Sequence, residues 1–153
     1  MKMKPVAAAT VTLALGLSGC GGSAEPSLSA FKSAFKSDKE TFRQLGLDLQ
    51  KAITGAQAKT DAQLAAEIGS LATRASGEAS SISKLNPPDK YKADTQKLSA
   101  GFRAVAVDLH SIATAAVKHD AAKAKQATKA LLGDAAQVKA ADDTITKGLG
   151  LPA

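Results

Sequence analysis

From Leu28 to Leu149 the apolar residues return every three or four positions, and no stretch alternates with the period of two that a half-buried strand needs. Leu28, Phe31, Phe35, Phe42, Leu45, Leu49 and Ala52 form one stripe, with Asp38 as its single polar break. Leu64, Ile68, Leu71, Ala75, Ile82 and Leu85 form a second, and Tyr91, Leu98, Phe102, Val105, Leu109, Ile112 and Ala116 a third. A weaker fourth runs through Ala124, Ala127, Leu131, Ala135, Val138, Ile145 and Leu149. A helix of 3.6 residues per turn gathers such positions on one face, which must then be buried against a neighbour.

The interruptions are chemically specific. Gly55 and the segment to Lys59 end the first stripe. Thr60 followed by Gln63 is a capping box, with a side chain at each end satisfying a backbone donor of the first turn. Asn86-Pro87-Pro88 ends the second stripe, because proline lacks the donor and restricts the residue before it. Lys118-His119 closes the third, and Asp120 caps the fourth. Helices are therefore expected over about 28–54, 61–85, 88–118 and 121–148, each about 40 Å long at 1.5 Å per residue. Short connections between long amphipathic helices make neighbours antiparallel, so the expected fold is all-α, an up-down-up-down four-helix bundle spanning 28–149. With aromatic residues at only 3% and alanine abundant, the helices are slim enough to pack closely.

Displacing the sequence by 60 residues lays Phe42-Arg43-Gln44-Leu45-Gly46-Leu47-Asp48-Leu49 over Phe102-Arg103-Ala104-Val105-Ala106-Val107-Asp108-Leu109. Phe31-Lys32 falls on Tyr91-Lys92, Thr54 on Thr114, and the caps Thr60 and Asp120 coincide. One reading is a duplicated helical hairpin with a pseudo-twofold axis; the other is a chance match between two amphipathic helices of similar composition. Two of the three arginines, Arg43 and Arg103, occupy equivalent sites. Their guanidinium forks suit either bridges to acids on neighbouring helices, with Asp48 and Asp108 in the same role, or a surface recognising carboxylate or phosphate.

Ahead of the helical region, Lys2 and Lys4 precede a mostly apolar run from Val6 to Leu17, too short to span a bilayer and about the length of a signal-peptide core. Leu17-Ser18-Gly19-Cys20 follows. It resembles the lipobox of bacterial lipoproteins. The resemblance implies a diacylglyceryl thioether on Cys20, cleavage between Gly19 and Cys20, and a membrane-held extracytoplasmic protein. Residues 1–19 are then a lipoprotein signal peptide and 20–27 a lipidated flexible tether, Gly21-Gly22-Ser23-Ala24-Glu25-Pro26 being its core. More weakly, Leu85-Asn86-Pro87-Pro88 before a long helix, and the close on Leu149-Gly150-Leu151-Pro152, resemble small alanine-rich helical envelope lipoproteins of actinobacteria. That likeness implies no activity.

Cleavage there removes two lysines and no acid, so a chain of net charge +6 becomes one of +4, too modest to indicate nucleic acid. Both methionines would go with the signal. With Cys20 the one cysteine, an intrachain disulfide is excluded. No Glu-x-x-His pair offers bundle-type metal ligation, His110 and His119 are the only histidines, and no phosphate-binding glycine loop is present. Neither a cofactor nor a metal is expected, nor a catalytic residue. Lys32, Lys36, Lys39 and Arg43 recur along one face of the first helix, and Lys118, Lys125 and Lys129 lie around the fourth. With Arg103 they are the candidate contacts for an anionic envelope surface or an envelope protein. The expectation is a non-catalytic, membrane-anchored lipoprotein presenting a helical bundle to such a partner, and the alternative is a small-ligand carrier with a cavity between its helices.

Overall fold

A computed structural model of the chain describes residues 27–152. Cys20, the expected signal segment and the expected tether up to Pro26 lie outside the described residues. Four helices follow one another: α1 (Leu28–Thr54), α2 (Asp61–Lys84), α3 (Asp89–Val117) and α4 (Ala121–Gly148), with a short 3-10 turn at Ala56–Ala58. They pack as a four-helix bundle, and the described residues contain no strand.

The caps explain the boundaries. Ser27 Oγ accepts from the Ala30 amide at 3.1 Å and starts α1. At α2 the Thr60 amide donates to Gln63 Oε1 at 3.0 Å, while the Gln63 amide donates to Thr60 Oγ1 at 3.3 Å. Asp120 Oδ1 accepts from the Lys123 amide at 3.0 Å and starts α4. Leu85 belongs to the corner rather than to α2: it is extended, at φ −61° and ψ 141°, because Asn86-Pro87 follows. The final turn of α4 is closed by Gly150 at φ +60°, a conformation glycine adopts without a Cβ penalty.

Phe35, Ile82, Leu98, Leu109 and Ile145 are fully buried, one or two from each helix, and each contributes about 1.5–3 kcal/mol by leaving water. Around them the helices meet in two different ways. Small residues bring α2, α3 and α4 together: Ala72, Ala75 and Ala79 are buried on α2, and Ser99 Oγ of α3 donates directly to the Ala79 carbonyl at 2.9 Å. On the other side of α3, a Cβ at Gly101 would lie 2.7 Å from Val138 Cγ2 of α4, so only glycine permits that approach. By contrast α1 reaches the core with Phe31, Phe35 and Phe42, whose rings hold its backbone farther out.

The 60-residue offset has a physical counterpart. Phe42 and Phe102, matched in sequence, face each other with ring centroids 4.7 Å apart, and Phe31 and Tyr91, also matched, lie 5.4 Å apart. Equivalent residues on two parallel helices meet in this way when a pseudo-twofold axis runs along the bundle between them. Under that axis α3 takes the place of α1 and α4 that of α2.

Candidate functional site

The same axis makes the α1–α4 seam the counterpart of the tight α2–α3 interface, yet the seam is open. The residues account for the difference. Ser99 and Ala79 touch across the tight interface; their counterparts on the seam are Lys39 and Lys139. Buried Ala72 and Ala113 correspond to Leu132 and Ile53, which are 66% and 55% exposed. Long side chains replace small ones, so α1 and α4 cannot close to the distance that α2 and α3 reach.

What remains is a groove of about 470 Å³ with α3 as its floor. Phe42, Leu45 and Leu49 of α1, Phe102, Val105 and Leu109 of α3, and Ala135 and Val138 of α4 line it. Its volume falls within the roughly 300–1,000 Å³ of small-molecule sites, and the lining is apolar apart from the rim. Gly46 also lines the groove, and a Cβ there would meet nothing within 4 Å. Ile53 follows Leu49 by four residues and Leu132 precedes Ala135 by three, so helical spacing continues the apolar surface toward the C-terminal end of α1.

Toward the other end the groove is latched. Lys39 Nζ donates to Thr146 Oγ1 at 3.1 Å and to the Pro152 carbonyl at 2.9 Å, and lies 3.9 Å from Asp142 Oδ2. Burial raises the Asp142 carboxyl above its ordinary range, while the nearby Lys39 charge opposes the rise. Rim charges are paired locally: Arg43 donates to both carboxylate oxygens of Glu40, at 3.1 and 2.6 Å, and Lys139 donates to Asp143 at 2.6 Å. The rim is therefore close to neutral in total, and the floor carries no charge.

The α1 candidates share one face of the helix, as their spacing requires, but that face is not uniformly free, and Arg103 lies apart from it on α3. Lys36 is exposed, Lys32 is half-buried, Lys39 turns into the seam, and Arg43 is occupied by Glu40. Arg103 lies on α3 and makes no ion pair among the described residues. Neither arginine bridges to a neighbouring helix, which corrects that expectation. Arg74 does so instead, donating from Nη1 to Asp48 Oδ2 at 2.7 Å and holding that carboxyl below its ordinary range. In the second hairpin Arg74 is replaced by Asp134, so Asp108 faces a carboxylate where Asp48 faces a guanidinium. Asp108 Oδ2 has no hydrogen-bond partner, and burial, then the charge of Asp134, raise its carboxyl.

Asp38 shows the same imbalance. It is half-buried on the α1 stripe, its Oδ2 has no hydrogen-bond partner, and burial raises its carboxyl. Glu78 of α2 is raised by burial and then by the Asp38 charge. His110 and His119 are exposed, and His119 Nδ1 lies 2.6 Å from Asp61 Oδ2. Among the described residues no group of three or more His, Cys, Asp or Glu is placed to hold a metal ion, and no helix is long and apolar enough to cross a membrane.

The groove residues Gly46, Ala135 and Lys139, and the exposed Ile53 and Leu132 beyond its end, were not singled out as a site from sequence. A signal for them was present: the 60-residue offset, carried into the second and fourth helices, sets Ala72 over Leu132 and Ala79 over Lys139. Comparison with known proteins adds no assignment, because no family model, no curated protein and no solved structure matches the chain.

Proposed function

We propose that this is a lipid-anchored extracytoplasmic bundle that binds, without catalysis, the acyl chain of a membrane amphiphile in the α1–α4 groove. The observation that carries the reading is the apolar groove itself, at the place where the fold's pseudosymmetry would put its tightest interface. The lipobox supplies the location. Between Cys20 and Ser27 the backbone spans at most about 25 Å even when fully extended, so an anchored bundle stays beside a bilayer rich in acyl chains.

The chemistry of the lining fits such a ligand. Each methylene buried from water contributes about 0.8 kcal/mol. A chain arriving from a bilayer gains far less, because it is already in hydrocarbon. Exchange between groove and membrane is therefore nearly balanced, as a protein that takes up and releases lipid requires. The near-neutral rim places no demand for a strongly charged head group. An anionic-surface reading has less support, since of the five α1 cations only Lys32 and Lys36 are without an acidic partner among the described residues.

Photo-crosslinking tests the proposal. The full chain in nanodiscs, treated with a photoactivatable palmitate analogue, should be labelled on the α1 and α4 peptides that line the groove. Gly46→Phe fills the groove from a position where added atoms meet open space, and should abolish that labelling. Gly133→Phe, on an exposed part of α4 where a Cβ also meets nothing within 4 Å, should leave it intact. Equal labelling of all three proteins, or no labelling of the groove peptides, would refute the reading. Separately, Cys20→Ala should move the protein from the membrane to the soluble fraction, and retention on the membrane would remove the anchor from the proposal.

A further inference from the structure

About a quarter turn round α3 from the groove, a second cleft of about 350 Å³ runs between α3 and the end of α2. Its α3 wall is a polar stripe at helical spacing, Lys92, Gln96, Ser99 and Arg103, facing Ser83 and Asn86. No carboxylate lines it. The pseudo-twofold axis explains why Arg103 stands without a partner. Its equivalent Arg43 is held by Glu40 three residues earlier, whereas Ala100 occupies that position before Arg103. Thr95, 4% exposed and on the same wall, has a hydroxyl without a hydrogen-bond partner. Lys92, about 16 Å along the helix from Arg103, already carries Asp89 on its ammonium at 2.7 Å.

We infer that this cleft binds a polyhydroxylated oxyanion, a sugar phosphate or sugar carboxylate, with the anion on the Arg103 fork. A planar guanidinium with no internal acid is suited to bidentate capture of either oxyanion. The Gln96 and Asn86 amides both donate and accept and the Thr95 hydroxyl is unpartnered, while Ser99 and Ser83, whose protons go to the Ala79 and Ser80 carbonyls, keep lone pairs to accept; this matches sugar hydroxyls rather than a hydrocarbon chain. The end of α2 and the start of α3 lie side by side and antiparallel, so their dipoles oppose each other. Side-chain charge then decides the sign, and Arg103 supplies it.

The test is NMR titration of the full chain in nanodiscs with glucose 6-phosphate and with glucuronate, which distinguishes phosphate from carboxylate as the anion. Glucose and inorganic phosphate serve as the two halves of the ligand. At least one of the acidic sugars should give saturable shifts at Gln96 and Arg103. Arg103→Gln should weaken that binding at least tenfold, whereas Arg43→Gln, at the equivalent site on α1, should leave it unchanged. Both positions are exposed, so neither change disturbs the core. Glucose or inorganic phosphate alone should bind at least tenfold more weakly than the acidic sugar. Saturation by neither acidic sugar would overturn the inference, as would inorganic phosphate binding as tightly as glucose 6-phosphate or equal loss in the two arginine variants.

Discussion

Gly101 and Gly46 are both glycines in the interior of long helices, and alanine at each should have opposite effects. In a helix, glycine is less favourable than alanine by about 0.5–1 kcal/mol because it loses more backbone freedom. At Gly46, on the open seam, a Cβ meets nothing within 4 Å, so Gly46→Ala should realise that gain in full. At Gly101 the Cβ would lie 2.7 Å from Val138 Cγ2, well inside contact distance. Valine in a helix has essentially one χ1 rotamer, so it cannot turn away cheaply, and α4 must shift. Overpacking of this kind costs about 1–3 kcal/mol. Gly101→Ala should thus be net destabilising by roughly 0.5–2 kcal/mol once the helix gain is subtracted. For a domain of this length each kcal/mol moves the melting temperature by about 3–5 °C. Thermal unfolding followed by far-UV circular dichroism should therefore place the two variants on opposite sides of the parent. In a Val138→Ala background the clash is gone, and Gly101→Ala should become stabilising. Equal melting temperatures for Gly46→Ala and Gly101→Ala would refute the contrast between a tight α3–α4 contact and an open seam, as would a clash that persists without Val138.

Other consequences can be checked on the same protein. Asp134→Arg gives Asp108 the partner that Arg74 gives Asp48, and should raise the melting temperature at neutral pH by a few degrees. The sign with pH follows from the raised Asp108 carboxyl: the parent recovers stability as that group is protonated, so the advantage of Asp134→Arg should shrink as pH falls toward the ordinary carboxylate range; an advantage independent of pH would contradict this. Lys39→Met removes the latch to Thr146 and Pro152, and hydrogen exchange at Leu149 and Leu151 should accelerate while α2 and α3 keep their protection; unchanged exchange would show that the latch holds nothing. Tyr91→Phe deletes the hydrogen bond to the Gly148 carbonyl, 2.6 Å in the structure, and should cost about 1 kcal/mol in denaturant unfolding. A neutral result there would mean that water replaces the phenol.

The helices were legible because their signals are local. Thr60 and Gln63 make the capping box that their spacing announces, and the two prolines stop α2 for reasons contained in a tetrapeptide. The pairing of Phe42 with Phe102, and of Phe31 with Tyr91, was legible only as an equivalence; that the rings touch is a property of the assembled bundle. The seam was harder to see for a physical reason. Leu132 fits a helical apolar pattern whether it is buried or exposed, and its exposure depends on how far away α1 stands. That distance is set by Lys39 and Lys139, which read along the sequence as ordinary surface lysines. Lys39 instead lays its stem along the seam and sends its ammonium to the C-terminal tail, a use of lysine that periodicity does not reveal. Arg103 differs from Arg43 through the residue three places before it, a neighbour that matters only once the helix is wound.

An even number of antiparallel helices returns the chain to the pole from which it started. The beginning of α1, the end of α4 and the proline corner between α2 and α3 therefore share one end of the bundle, and Lys39 ties the C-terminal tail to α1 near it. On the proposed anchorage this is the end nearest the membrane. Lys59 with Glu67 and His119 with Asp61 then mark the far end, where two tight corners meet the surroundings. A chain lying in the seam would be oriented along this axis, from the latched end near the bilayer to Ile53 and Leu132 on the outward side. On that anchorage the tether's entry at the start of α1 turns the latched end of the groove toward the bilayer, and the even helix count brings the C-terminal tail to the same end to form the latch.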